Sequence, residues 1–137
     1  MDSRQPTVTS QLELKLVVPG ESTVPLAVVL RYTGADPYAV HAEFRTGLEE
    51  SVEWVFAREL LAEGVQRSAG EGDVRVWPSG APGHEVVYVS LASPDGRAVL
   101  QAPAPELVAF LRRTYDLVPE GMESVDLDAT LHALLGS

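Results

Sequence analysis

From Leu12 to Phe56 the chain alternates apolar and polar residues, broken only by short turns. Leu12, Leu14 and Leu16 alternate with Glu13 and Lys15, and Leu26, Val28 and Leu30 carry the pattern to Tyr32. Val40, Ala42 and Phe44 alternate with His41, Glu43 and Arg45; Val52, Trp54 and Phe56 alternate with Glu53 and Val55. Alternation of this kind puts successive side chains on opposite faces, which predicts half-buried strands. Pro19-Gly20-Glu21-Ser22, Gly34-Ala35-Asp36-Pro37 and Thr46-Gly47 with Glu49-Glu50 separate the runs. Strands joined by so few residues pair with their sequence neighbours, so four in a row predict an antiparallel meander.

The period changes at Arg58. Leu60, Leu61 and Val65 flank Glu59 and Glu63, which lie one helical turn apart, and Gly64 is a natural stop for a short helix. Val74 and Val76 alternate with Asp73, Arg75 and Trp77 as far as Pro78, and the Pro/Gly-rich run 78–83 is loop. Val86 to Leu91 and Arg97 to Gln101 read as strands across the turn Ser93-Pro94-Asp95-Gly96. Pro105 suits the first turn of a helix whose Leu107, Phe110 and Leu111 form one stripe, with Arg112 and Arg113 where a helix dipole favours cations. A last helix starts at Asp126 or Asp128 and carries Leu127, Leu131, Leu134 and Leu135. The predicted fold class is α+β: about seven mainly antiparallel strands, one short helix after strand four, and two C-terminal helices.

At 137 residues the chain is expected to form one domain, with 1–10 as a flexible N-terminus and 11–137 as the folded unit. The absence of Cys excludes disulfides, thiolate metal sites and a Cys nucleophile. Twenty acidic against ten basic side chains give a net charge of -10, which opposes general attraction to phosphate; no nucleic-acid partner is expected on this ground. No apolar run approaches the roughly 18 residues of a membrane span, so no direct membrane insertion is expected, and the polar start reads as cytoplasmic.

Motifs for chemistry are lacking: there is no Gly-rich phosphate loop, no paired His at zinc spacing and no nucleophile elbow. No catalytic residue, metal or cofactor is assigned. His41 alternates outward on its strand and reads as a solvated sheet residue rather than a base; His84 lies in a Gly/Pro loop and His132 beside Leu131. Glu49, Glu50 and Glu53 read as a solvated turn, and Glu59 with Glu63 as a wet helix face. Beyond Arg113 stand five acids, Asp116, Glu120, Glu123, Asp126 and Asp128, and no base. That tail is either a solubilising surface or a docking face for a basic partner.

Two groups are candidates for contact with other proteins. Trp77 and Arg75 share the outward side of one strand; one Trp with one Arg is a thin stacking platform for bases but a good protein anchor. Glu53 stands next to Arg58 and Glu59 of the short helix, where Arg58 has an equally good folding role in pairing an acid. Val17, Ala27, Val29 and Val55 lie on faces that should be polar. Either the chain's own helices or another subunit must cover them, so Val17, Val29 and Val55 are candidates for an oligomer interface.

Four runs in this order resemble one family: residues 35–42 (ADPYAVHA), 52–64 (VEWVFARELLAEG), 70–78 (GEGDVRVWP) and 110–114 (FLRRT). The chain is similar to the SsgA-like sporulation and cell division proteins of actinomycetes, over about Leu12 to Leu135, and within them to the SsgB branch. The resemblance implies a non-enzymatic regulator of sporulation-specific division. Such a regulator marks septum sites and recruits the ring protein FtsZ, with SsgA-type proteins as further partners. It also implies a homotrimer with a fold like the whirly single-stranded nucleic-acid-binding proteins. Fold analogy alone leaves single-stranded nucleic-acid binding as the alternative function.

Overall fold

The computed structural model describes residues 6–20, 22–70, 72–124 and 134–135. Four strands come first, β1 (Thr7–Val18), β2 (Ser22–Thr33), β3 (Ala39–Arg45) and β4 (Ser51–Ala57). The short helix α1 (Arg58–Gly64) follows, then β5 (Val74–Ser79), β6 (Val86–Ser93), β7 (Gly96–Pro103) and helix α2 (Ala104–Leu117). All seven strands form one sheet in the order β4-β3-β2-β1-β7-β6-β5, and every pairing is antiparallel. The meander read from the alternation is therefore present, and α1 carries the chain from one edge strand to the other.

Thr7 to Ser10, expected in the flexible N-terminus, belong instead to β1. Thr7 pairs with Thr33 and Val8 with Tyr32, and Val8 is buried. This stretch has only one large apolar side chain, Val8, so its alternation was too thin to read. The expected last helix falls on residues outside those described, except Leu134 and Leu135, whose side chains are exposed.

The two meanders meet at a short seam, where Lys15, Leu16 and Val17 pair with Gln101, Leu100 and Val99. The inward side chains close on one core. Leu12, Val28, Ala42, Phe56, Val89 and Leu100, from six strands, surround a small apolar cavity of about 30 Å³ together with Leu61 of α1 and Leu107 of α2. Residues of edge strand β4 and of β6, five strands across the sheet, thus reach one point, so the sheet curls around its core. With only apolar walls such a space stays dry.

Both described helices sit on this concave side. α2 buries Leu107, Phe110 and Leu111 in the core cluster, as its stripe predicted. α1 is too short to be stable alone; it buries Arg58, Leu61 and Gly64. Gly64 lies so close to β5 that an added Cβ would overlap the side chain of Val76, which is fully buried. Gly64→Ala is expected to lower unfolding stability by about 2 kcal/mol through overpacking, read as a lower midpoint in urea with an unchanged slope.

Candidate functional site

Trp77 and Arg75 do face outward on β5. Trp77 pairs across the ladder with Tyr88 and Arg75 with Ser90. The Trp77 and Tyr88 rings stack with centroids 5.5 Å apart and planes 14° apart, and the Gln101 amide donates to the Tyr88 hydroxyl at 3.1 Å. Beside this pair lies a depression of about 320 Å³ lined by Ser68, Arg75, Trp77, Ser90 and Arg97. Arg97 was not singled out in the sequence. It follows the Ser93–Gly96 turn on outward parity, and only the pairing of Arg97 with Ala92 brings it across β6 toward Arg75.

Glu53 and Glu59 lie at the other edge of the sheet, so the two candidate groups do not meet. On β4, Glu53 stands opposite Glu43. Like charges at that spacing repel, and both acids are compensated. Arg31 reaches Glu43 at 3.2 Å and Arg45 reaches it at 2.8 Å, while Glu53 hydrogen-bonds His41 Nδ1 at 3.0 Å. His41 Nε2 lies 3.4 Å from Asp36. Glu59 is exposed in the first turn of α1.

Arg58 is placed differently from the expectation of a partner face. Its side chain is only 1% exposed, and its hydrogen bonds are internal. Nη1 donates to the carbonyls of Thr114 at 3.0 Å and Val118 at 2.7 Å, and Nη2 to Glu123 at 2.8 Å. The guanidinium also lies 4.9 Å from the Tyr32 ring centroid and 3.9 Å from that of Tyr115. A helix end leaves carbonyls without partners and attracts cations. α2 has no basic residue in its last turn, so Arg58 supplies that charge from α1, rather than Arg112 or Arg113. Arg113 instead donates to the Thr9 carbonyl at 3.2 Å and ties α2 to β1.

The oligomer candidates divide. Val55 is 52% exposed, Val17 is half-buried, and Val29 is already buried within the single chain at 8%. Gln11 and Glu43 flank Val29 across the ladder, and such long side chains shield apolar surface with their stems. Neither described helix lies over this convex face. Among the described residues no three His, Asp or Glu side chains converge as a metal site.

The family model for the Streptomyces sporulation and cell division protein SsgA matches residues 26–123. The chain belongs to the SsgA family. It is 56% identical over 131 residues to the sporulation-specific cell division protein SsgB of Streptomyces coelicolor, covering 94% of this chain and 96% of that one. Its likeness to SsgB of Frankia casuarinae is 53% over 137 residues, covering 98% and 96%. A solved structure concerns S. coelicolor SsgB, in which mutations correlate with longitudinal cell division during sporulation. It superposes with a TM-score of 0.85 at 56% identity, covering 90% of this chain and 97% of that one. The crystal structure of an SsgA-like protein from Thermobifida fusca gives 0.83 at 46% identity, covering 98% and 100%. Membership of the SsgA family supports a role in sporulation-specific cell division.

Within this SsgA-family chain the matched segment ends at Glu123, the acid that Arg58 holds. The carboxyl of Glu123 is held below its usual 4.5, first by its own backbone N–H and then by Arg58. Stability from Glu123 is therefore present above pH 4.5 and is lost as pH falls through the lowered value. Arg58→Met takes the donor from the Val118 carbonyl and from Glu123, leaves Thr114 with only its bond from the Val118 N–H, and removes the cation from two tyrosine rings, so a loss of about 3 kcal/mol is expected. Part of the acid sensitivity below pH 4.5 should disappear with it, which urea titrations across pH would show. The His41 pKa is raised above 6.5, chiefly by its hydrogen bond to Glu53, against burial, with Asp36 adding to the rise. Its contribution is complete below pH 6.5 and fades as pH rises through the higher folded value. Thermal melts between pH 6 and 8 should therefore show a decline that His41→Gln flattens.

Proposed function

We propose that this chain is a non-enzymatic adaptor of sporulation-specific division that marks septum sites and recruits or stabilises FtsZ. The observation that supports it most is the uncovered convex face of a family member whose helices all lie, as far as described, on the other side. That face ends at β4, which has no strand on its outer side among the described residues, and Val55 is 52% exposed there. A homotrimer, as the family resemblance implies, would cover part of this surface and display the rest in three copies. Weak contacts repeated on one assembly gain avidity for a polymer such as FtsZ. Trp77 with Arg75, and Glu53 with Glu59, are the groups assigned to partner contact, and Val17 and Val55 to the subunit contact. SsgA-type proteins are further partners in this reading.

No described helix is long and apolar enough to cross a membrane, so a septal position would be borrowed from other proteins. A whirly-like fold is part of the same proposal, and it brings the alternative of single-stranded nucleic-acid binding. Arg75, Arg97 and Trp77 favour that alternative and the net charge of -10 opposes it.

Co-sedimentation with purified FtsZ polymers tests the adaptor reading. Enrichment in the pellet that depends on polymerisation is expected, and a protein that stays in the supernatant would count against it. Sedimentation equilibrium should give a trimer that Val55→Glu shifts toward the monomer; a wild-type monomer would remove the multivalent mechanism.

A further inference from the structure

We propose that the depression framed by Arg75, Arg97 and Trp77 is a docking site for an acidic, extended peptide segment of a partner protein. The first ground is uncompensated charge. The chain has twice as many acids as bases, and three of the eight described arginines hold one: Arg31 and Arg45 share Glu43, and Arg58 holds Glu123. Arg75 and Arg97 line one depression, and their guanidinium groups form no ion pair or hydrogen bond among the described residues. The hydroxyls of Ser68 and Ser90 at the same place also have no partner there. Four uncommitted donors that converge on one space call for an acceptor, and carboxylates suit guanidinium groups best.

Spacing supplies the second ground. Arg75 stands opposite Ser90 on one side of β6, and Arg97 opposite Ala92 on the other. They are two ladder steps apart across the sheet and two residues apart along it, roughly 12 Å in all. Carboxylates four residues apart on an extended peptide are separated by roughly 13 Å at the backbone, a spacing that two flexible Arg side chains can meet. Beyond Arg75, on the side away from Arg97, Trp77 offers a wall fixed by Tyr88, which is itself held by Gln101. A rigid, half-buried aromatic beside paired charges is the usual anchor for an apolar side chain of a partner. β5 cannot simply extend the sheet here, because Ala69 already pairs with Val76 in both directions at 2.8 and 2.9 Å. The peptide therefore lies on the face, held by side chains.

Charge decides between a peptide and a nucleic acid. Two guanidinium groups neutralise two charges, and the remaining net charge repels every further phosphate. One face of Trp77 is also already occupied by Tyr88, which reduces its use as a stacking platform.

The test is an NMR titration of the full chain with a capped peptide of three Glu-Leu repeats, with three Lys-Leu repeats as control. Shifts are expected at Ser68, Arg75, Ser90 and Arg97 and at the Trp77 indole, with the acidic peptide only. Arg75→Glu and Arg97→Glu should each weaken binding by about tenfold; Arg75→Gln and Arg97→Gln repeat the test with smaller changes, and Lys15→Glu should leave it unaltered. Shifts that map elsewhere, binding indifferent to both arginines, or tighter binding of a deoxythymidine oligonucleotide at these residues would overturn the proposal. FtsZ co-sedimentation is scored on the same variants. Peptide binding without FtsZ binding keeps the site and removes the FtsZ reading; FtsZ binding without peptide binding does the reverse.

Discussion

Arg58 joins three parts of the chain through one buried guanidinium. It begins α1 at the end of β4, it takes two carbonyls at the C-terminal end of α2, and it reaches Glu123 in the segment beyond. The site is nearly closed to solvent, so the guanidinium must replace its lost water completely. Two carbonyls, one carboxylate and the faces of Tyr32 and Tyr115 do so. Tyr32 in turn donates its hydroxyl to the Pro37 carbonyl at 2.9 Å, which carries the network into the β2–β3 connection. A lysine has a single point charge and no planar fork, so it could not serve all three acceptors and both rings.

That network explains why the concave side is closed and the convex side is not. Arg58 fixes α1 and α2 against one another, and their apolar residues fill the curl of the sheet. What remains outside is a single broad face whose two ends differ. Toward β4 the charges are matched in a net of Arg31, Glu43, Arg45, Glu53, His41 and Asp36. Toward β5 and β7 they are not matched, and an aromatic pair stands beside them. Matched charges fix a surface in place and soften its attraction for others, whereas unmatched ones leave binding energy available.

Much of this was legible in the chain itself. Strand parity is local, so the strands, the α1 stop at Gly64 and the inward set of Tyr32, Phe44 and Phe56 followed from neighbours in sequence. The outward place of Trp77 and Arg75 followed in the same way. Sequence reasoning lost ground where a property depends on distant residues. The burial of Arg58 depends on α2 and Glu123, 56 to 65 residues away. Arg97 became part of a site only through the register of β6 with two neighbours. Val29 looked bare by parity and is covered by residues of adjacent strands, which no single-strand pattern contains.

Net charge illustrates the same limit from the other side. An excess of ten negative charges argues against a long phosphate track anywhere on this molecule. It does not set the potential at one depression, because screening confines each charge to about 8 Å at physiological salt. Two free guanidinium groups at close quarters can hold a local positive field on an acidic protein. Such a field is too small for a nucleic acid and large enough for a short acidic segment. An acidic body around a small basic site also discourages adsorption to polyanions, so selectivity arises from the surroundings as well as from the site.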